Sequence, residues 1–290
     1  MESKERVNQR KHIRTYGARD KEELVNAIKL LHDQGYSQVE ISKRLNIARG
    51  TIQRWNKELN IFVPLTPGEA GKKKNKKYHY DENYFSDISS PNQAYVLGYI
   101  LGDGTIIDRK KSKRLILCLA ENDVQLLRDI AEELNMSTAI KFRKKNAPNE
   151  QNKYSLTINS TKMCDDLISL GVGPKKTGHE AWIALKSNML QWAFIRGFFD
   201  ADGHIRVYQR NGYLKVRVGF TGSKEMLTST LKFLQTYEIG LKVKGVLKKQ
   251  GCYDLYLSSI IEAKMIFNLL YKHGDIKLNR KYEKFSSLMI

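Results

Sequence analysis

The sequence contains the stretch Gly98-Tyr99-Ile100-Leu101-Gly102-Asp103-Gly104 and, in similar form, the stretch Gly197-Phe198-Phe199-Asp200-Ala201-Asp202-Gly203. Each stretch ends an apolar segment and carries two small residues four positions apart. Positions i and i+4 of a helix lie on one face, and small residues there allow two backbones to approach closely. The sequence therefore predicts two helices that pack together through Gly98 and Gly102 of the first copy and Gly197 and Ala201 of the second.

Both stretches end in Asp-Gly. A carboxylate in the last turn of a helix lies near the negative end of the helix dipole, which costs up to about 1 kcal/mol. Packed helices would also bring Asp103 and Asp202 close enough to repel each other. One Asp-Gly is explained by a helix-ending turn, but two copies in matching surroundings favour a divalent cation. Carboxylates that gather such a cation beside a phosphate form a phosphoryl-transfer site.

These segments resemble the two LAGLIDADG helices of a single-chain homing endonuclease, with residues 96–104 as the first helix and residues 195–203 as the second. The second is the closer match, because the first has Leu101 and Gly102 where the second has Asp200 and Ala201. The resemblance covers residues 91–290. It implies an α+β fold in which two αββαββα halves, related by a pseudo-twofold axis, form a β-saddle that binds DNA.

The resemblance also implies an activity and a site. The expected activity is a Mg²⁺-dependent (or Mn²⁺-dependent) staggered double-strand break at a long target in duplex DNA, made by a monomer without a small-molecule substrate. The metal-binding residues that it implies are Asp103, Asp202, Gly102 and Ala201. It further implies one catalytic lysine per half, assigned to Lys176 and Lys281, although the adjacent Lys175 and Arg280 are equally cationic. Asp200 is expected to cap the helix or to face solvent.

The composition agrees with a nucleic-acid partner. Lys and Arg number 50 against 31 Asp and Glu, giving a net charge of +19, and so large an excess favours a polyanion. No apolar run approaches the length of a membrane-spanning helix. The N-terminus lacks the apolar core of a secretion signal, so a cytoplasmic, DNA-associated protein is expected, without excluding an organelle. The three scattered cysteines are predicted to be small packing residues, and the scattered histidines argue against an HNH or zinc site.

Residues 21–60 resemble a helix-turn-helix module, following a basic arm over residues 1–20 that is predicted to be disordered. The helical pattern begins at Lys21, breaks at Gly35, and resumes near Ser37 with Val39 predicted to lie inside. A third helix from Arg49 would enter a major groove. Its predicted DNA-contacting side chains are Arg49, Thr51, Gln53, Arg54, Asn56 and Lys57. A helical bundle that only contacts proteins is the alternative.

Residues 61–90 are predicted to be a basic linker, because they combine Pro and Gly with the run Lys72-Lys73-Lys74-Asn75-Lys76-Lys77. Two halves follow, 91–180 and 181–290. Each is predicted to run helix, hairpin, helix, two strands and helix, with Asp103 and Asp202 lying 99 residues apart. One of the predicted strands covers residues 241–247.

The strands of both halves alternate apolar residues with cations, which predicts one face packed on helices and one basic outer face. Alternating cations are often only a solvated face. Repeated in both halves of so basic a chain, they predict β-ribbons that lie in a major groove. The DNA-binding residues predicted on this face are Lys141, Arg143, Arg206, Tyr208, Arg210, Lys215, Arg217, Lys242 and Lys244.

Other functions compete with cleavage. A non-cleaving DNA-binding regulator or an intron maturase on the same scaffold is the main alternative, and keeping both Asp103 and Asp202 favours the enzyme. A transposase-like recombinase would want a third carboxylate in a different fold. An intein is not expected, since the chain starts with Met1 and ends without His-Asn splicing residues, so a freestanding or intron-encoded enzyme is expected.

Overall fold

The structure is a computed structural model, and it describes residues 16–34, 36–63, 78–109 and 112–289. The chain divides into two compact units, Met1–Lys76 and Lys77–Ile290. Two sequence predictions lie outside the described residues: most of the basic arm, at residues 1–15, and the lysine run at residues 72–77. No helix in the described part of the chain combines the length and the apolarity needed to cross a bilayer.

The N-terminal unit consists of three helices, α1 (Ala18–Asp33), α2 (Gln38–Arg44) and α3 (Arg49–Leu59). Ser37 caps α2 through a reciprocal pair of hydrogen bonds with Glu40. A tight turn before α3 contains Asn46, whose φ is 52°. The core consists of Ile28, Ile41, Ile47, Ile52, Trp55 and Phe62. Val39, predicted to lie inside, is 46% exposed, because α2 turns Ile41 rather than Val39 towards that core.

The predicted linker over residues 61–90 is packed at both of its ends. Phe62 belongs to the core of the N-terminal unit, whereas Tyr84, Phe85 and Ile88 belong to the core of the C-terminal unit. The prediction followed Pro, Gly and Lys content and overlooked these buried apolar side chains. Between the packed ends, residues 64–77 lie outside the described part of the chain.

The first half of the C-terminal unit begins with α4 (Pro91–Asp103), which has Ser90 as its N-cap and proline at its first position. The elements that follow α4 are β1 (Thr105–Arg109), β2 (Ser112–Ala120), α5 (Val124–Glu133), β3 (Lys141–Arg143), β4 (Lys153–Ile158) and α6 (Thr161–Ser169). Its four strands form an antiparallel sheet in the order β1-β2-β4-β3.

The second half repeats this order. Its elements are α7 (Asn188–Asp202), β5 (Gly203–Arg210), β6 (Tyr213–Gly222), α8 (Lys224–Gln235), β7 (Leu247–Lys248), β8 (Tyr253–Leu257), α9 (Ile260–Leu270) and α10 (Asn279–Ser286). The sheet order β5-β6-β8-β7 matches that of the first half. The predicted αββαββα duplication is therefore confirmed, with α10 as an addition that the sequence did not predict.

The predicted strand over residues 241–247 is wrong for most of its length. Residues 241 and 242 form a turn after Gly240, whose φ is 75°, and only Leu247 and Lys248 pair with β8. Gly245 and the preceding turn interrupt the alternation on which the prediction rested. Lys242 and Lys244 therefore lie on an exposed loop rather than on a strand.

Each sheet has one buried face and one outer face. In β6 the side chains of Val216, Val218 and Phe220 are buried, while Lys215 is exposed and Arg217 half-buried. The cysteine prediction holds for Cys164, which is buried, but fails for Cys118, which is exposed on the outer face of β2. The apolar faces of both sheets belong to one core with α4 and α7.

Candidate active site and nucleic-acid interface

Helices α4 and α7 form a central pair whose backbones touch at two glycines. A methyl group at Gly98 would lie less than 3.0 Å from the carbonyl group of Phe194. A methyl group at Gly197 would lie less than 3.0 Å from the carbonyl of Tyr95 and 2.7 Å from the amide nitrogen of Tyr99. Each of these contacts maps onto the other by a shift of 99 residues, so the seam has internal twofold symmetry.

The C-terminal ends of the central pair meet as well. A methyl group at Gly102 would lie within 3.0 Å of the Ala201 methyl group and 2.8 Å from the Asp202 carboxylate. The pKa of Asp202 is raised to about 6, mainly by burial and also by the neighbouring charge of Asp103, while the charge of Lys176 opposes the shift. The structure thus brings the partly buried Asp202 close to the exposed Asp103, whose negative charge disfavours ionisation of Asp202.

Lys176 lies at the end of α4. It follows α6 in a short loop, and its ammonium group donates a hydrogen bond to the carbonyl oxygen of Gly102. Burial lowers the pKa of Lys176, while the charges of Asp202, Glu180 and Asp103 oppose that shift. The neighbouring Lys175, which was equally cationic in the sequence, is exposed and has a φ of 60°.

Lys281 occupies the corresponding place at the end of α7. It is 4% exposed, and its ammonium group donates to the carbonyl oxygens of Phe199 at 2.6 Å and Asp200 at 2.8 Å. Burial lowers the pKa of Lys281 to about 8 despite the opposing charge of Asp200. Arg280, the other cation at this position, turns away and forms an ion pair of 3.0 Å with Asp123.

Asp200 does not face solvent, contrary to one of the two expectations from the sequence. It is 2% exposed and accepts hydrogen bonds from the Tyr95 hydroxyl at 2.7 Å and the Leu278 amide at 2.8 Å. Burial raises the pKa of Asp200 to about 6, although these hydrogen bonds and the charge of Lys281 lower it. Asp200 therefore serves the packing of α7 against α4 and the segment before α10.

Two tyrosines and one glutamate at this site were missed by the sequence analysis. Tyr99 donates from its hydroxyl to Asp103 at 3.3 Å, a contact that the i,i+4 spacing on a helix signals. Tyr95 contacts Asp200, 105 residues away. Glu180 accepts from the amides of Gly178 at 2.9 Å and Ser223 at 3.0 Å. The contact of Tyr95 with Asp200 is long-range, and Glu180 lies in a loop, so no local sequence pattern indicates either residue.

The donor set at the helix ends suits a hard cation. Asp103 and Asp202 offer carboxylate oxygens, and Gly102 and Ala201 offer backbone carbonyls beside them. Among residues 16–34, 36–63, 78–109 and 112–289, no group of three or more His, Cys, Asp or Glu side chains could hold a metal ion. Mg²⁺ tolerates such a sparse protein donor set, since it commonly keeps several waters and binds substrate phosphates.

The predicted cationic residues lie on the outer faces of the two sheets or at their edges. In the second sheet, Arg206 lies opposite Arg217 and Tyr208 lies opposite Lys215. Arg206 and Arg210 are exposed, and the Tyr208 ring lies 5.3 Å from the Arg206 guanidinium. In the first sheet, the exposed residues Lys141 and Arg143 lie on the edge strand β3. Arg143 donates to the Ser155 hydroxyl at 3.0 Å.

Helix α3 of the N-terminal unit presents most of its predicted contact residues. Arg49, Gln53, Arg54 and Lys57 are exposed, and Thr51 is half-buried. Asn56 is an exception, because its side-chain oxygen accepts the amide of Phe62 at 2.8 Å and so closes the turn after the helix. Arg54 lies 4.0 Å from Glu58 on the next turn, an exposed pair of small energetic weight.

One comparison with known proteins concerns a protein family. Residues 189–274, which contain α7, both hairpin strands β5 and β6, and most of the remaining second half, match the family model of the LAGLIDADG-like domain. The second copy of the repeated stretch lies inside the matched region.

Two curated relatives come from Methanocaldococcus jannaschii. The replication factor C small subunit is 24% identical over 285 residues, covering 93% of this chain but 15% of the relative. An uncharacterized protein is 23% identical over 285 residues, covering 92% of this chain and 93% of the relative. The chain therefore spans less than a sixth of the first relative and nearly the whole of the second.

Two solved structures also resemble this chain. The LAGLIDADG homing endonuclease I-GzeII in complex with its DNA target has a TM-score of 0.47 at 13% identity, covering 70% of this chain and 89% of that chain. The LAGLIDADG meganuclease I-AabMI bound to uncleaved DNA has a TM-score of 0.47 at 14% identity, covering 69% of this chain and 89% of that one.

Proposed function

We propose that this chain, which carries a LAGLIDADG-like domain, is a site-specific DNA endonuclease that makes a Mg²⁺-dependent staggered double-strand break. One observation carries the proposal: Asp103 and Asp202 converge at the ends of two helices in contact, each end with its own lysine. Folding gains nothing from placing the partly buried Asp202 carboxylate beside that of Asp103, because burial and the neighbouring negative charge both raise its energy. A binding protein has no use for that arrangement.

The residues of the site have different roles in phosphodiester hydrolysis. A divalent ion held by Asp103, Asp202, Gly102 and Ala201 would supply an activated water and neutralise charge on the phosphate. Tyr99 orients the Asp103 carboxylate through its hydroxyl. The ammonium groups of Lys176 and Lys281 lie in the field of both aspartates, whose charges raise the pKa of each lysine against the lowering caused by burial. We assign them the stabilisation of the phosphorane.

Binding to duplex DNA follows from charge. The outer faces of both sheets carry cations, which can neutralise phosphates along a groove. We propose that these faces form a saddle on the DNA, and that α3 of the N-terminal unit adds a second contact in a major groove. One chain supplies both carboxylates, so we propose that it acts as a monomer.

The test uses the full chain and a plasmid library that carries randomised duplex inserts. With Mg²⁺ or Mn²⁺, the native chain should linearise a subset of plasmids, and sequencing of the ends should show a stagger. EDTA should abolish the products. Asp202→Asn and Asp103→Asn should each reduce linear product by at least about 100-fold, in line with the loss of a charge-stabilising group. Lys175→Met is the matched control and should cleave normally.

Two outcomes contradict the proposal. If Asp202→Asn produced linear plasmid at the native rate, the helix ends would not be the site of cleavage. A native chain that enriches a bound sequence without cutting it would instead be a regulator or maturase built on the same scaffold.

A further inference from the structure

A buried carboxylate lies on the outer face of the second sheet. Asp254 in β8 has 0% exposure although it points to the same side as the cations of β6. Its Oδ2 atom lies 2.9 Å from Nη2 of Arg217 and 3.0 Å from Nζ of Lys249. Its Oδ1 atom has no hydrogen-bond partner among the described residues.

Arg217 is held on two sides. Its edge is paired with Asp254, and the face of its guanidinium lies 3.7 Å from the centroid of the Tyr256 ring. The side chain is still 40% exposed, so part of the guanidinium remains available to a ligand. A cation stacked on an aromatic ring and paired with a carboxylate keeps one orientation.

Lys249 shares the Asp254 carboxylate with Arg217, whereas the other cations of β5 and β6 have no carboxylate partner among the described residues. Arg210 and Lys215 form no ion pair within the part of the chain that the structure describes, and both are exposed. Arg206 lies directly opposite Arg217, and like charges in that position repel. Asp254 offsets this repulsion for Arg217. The face therefore combines one guanidinium held by a carboxylate with cations that have no such partner among the described residues.

Fixed and mobile cations suit different contacts with DNA. A mobile cation gains affinity from any phosphate, whereas a guanidinium fixed before binding pays little ordering entropy when it donates two hydrogen bonds in one plane. The major-groove edge of guanine offers two acceptors, O6 and N7, that fit this fork. The contact of Asp254 with Arg217 is thus useful for reading a base and unnecessary for contacting a phosphate.

We propose that Asp254 is a positioning residue for sequence recognition, which holds Arg217 in the orientation that reads one guanine in the major groove. The inference rests on the proposed function, since it requires the outer face of this sheet to lie against duplex DNA. If Asp254 only stabilised the sheet, its loss would weaken binding to every duplex alike.

The experiment uses the full-length native chain, Asp254→Asn, Arg217→Lys and the control Arg128→Lys, which changes an exposed arginine of α5, without Mg²⁺ so that the DNA stays intact. The native chain is first used to select bound duplexes from a randomised pool. Affinities are then measured for the selected duplex, for versions with each G·C pair replaced by A·T, and for an unrelated duplex. Thermal unfolding of each variant reports whether it is folded.

The native chain should discriminate against replacement of one G·C pair by about 5- to 150-fold, the range of a good bidentate contact. Asp254→Asn and Arg217→Lys should both lower that factor to less than about 3-fold at the same position, while affinity for the unrelated duplex changes by less than about 3-fold. Arg128→Lys should keep the native discrimination, because this exposed helix residue is not part of the proposed DNA-binding face.

Native discrimination at every position in either Asp254→Asn or Arg217→Lys would overturn the inference, and so would equal losses on the selected and unrelated duplexes in a folded Asp254→Asn. Arg217→Lys decides the question if Asp254→Asn does not fold. A native chain that selects no sequence from the pool would overturn the proposed function itself, and the inference with it.

Discussion

Lys176 and Lys281 reach the ends of the central helices from different supports. Lys176 lies in a loop whose neighbouring residue has a φ of 60°, and Glu180 fixes that loop through the amide of Gly178. Lys281 lies in α10, a helix whose Phe285 is fully buried. The two halves thus share the position of the ammonium group but differ in what holds it. A similar ammonium group therefore reaches each helix end from a loop in one half and from a helix in the other.

At the seam between α4 and α7, by contrast, the two halves share their backbone contacts and differ in their side chains. Gly98 and Gly197 make contacts that correspond pairwise, but the side chains around them differ: α4 has Tyr95 and Tyr99 where α7 has Phe194 and Phe198. The hydroxyl groups of the two tyrosines bind Asp200 and Asp103. Backbone contact is therefore symmetric, whereas the polar contacts of the pair come mostly from α4. The following predictions test both statements.

The largest effect is expected at the seam. Gly98→Ala and Gly197→Ala should each destabilise the C-terminal unit by about 4 kcal/mol or more, since the added methyl group meets backbone that can move only if the helices separate. Urea unfolding measures both, with Gly245→Ala as the control, because no atom lies within 4 Å of a methyl group there. If one of the two glycines tolerated alanine, the symmetry of the seam would be disproved.

The next effect concerns the buried lysine and pH. The pKa of Lys281 is about 8 in the folded protein and near 10.5 in the unfolded chain, so between these values the unfolded chain binds more protons. The free energy of unfolding should therefore rise with pH across that window, by up to about 3 kcal/mol. Below about pH 8 the ammonium group is charged in both states, so this gain in stability should be absent.

Lys281→Met removes this titration and should flatten the pH dependence of the unfolding free energy between about pH 8 and pH 10. The matched control is Lys175→Met, in which an exposed lysine is lost. Because tyrosines also titrate at high pH, the measured quantity is the difference between native and variant chains. Equal slopes in the native chain and in Lys281→Met would contradict a desolvated ammonium group at this place.

The smallest effect is expected in the loop of the first half. Glu180→Gln keeps the shape of the side chain but cannot accept from both amides, so the loop around Lys176 should loosen at a cost of about 1–2 kcal/mol. Amide hydrogen exchange should quicken at Gly178 and remain unchanged in α10. In cleavage assays, nicked circles should accumulate, since only one half loses its positioned lysine. Glu225→Gln, an exposed change in α8, is the control.

The sequence predicted the parts of this fold that depend on local patterns. The central helices follow from apolar runs with a polar cap and Pro91, and the order of elements follows from the spacing of 99 residues between Asp103 and Asp202. Both aspartates and both lysines reach the helix ends as the resemblance implied, although their roles in catalysis stay predictions. Helical and strand periods extend over a few residues, and a single sequence displays them.

Contacts between distant residues account for most of what was missed. Tyr95 and Asp200 are 105 residues apart, and Arg217 and Asp254 are 37 apart, so neither pair leaves a local signal. The strand predicted over residues 241–247 failed because alternation alone does not specify a hydrogen-bonding partner. Helix α10 was missed because its charged sequence resembles a loop, although Phe285 is buried.

The glycine seam has a consequence for redesign. Its centre is the backbone contact of α4 and α7 at Gly98 and Gly197, supplemented by the hydrogen bond from the Tyr95 hydroxyl to Asp200, and none of these residues lies on a strand. Exchanging the strands of one half for those of another protein would leave the joint unchanged, provided that Gly98 and Gly197 stay in place. Each sheet can therefore be exchanged without altering that contact, and a chimaera would keep both Asp103 and Asp202.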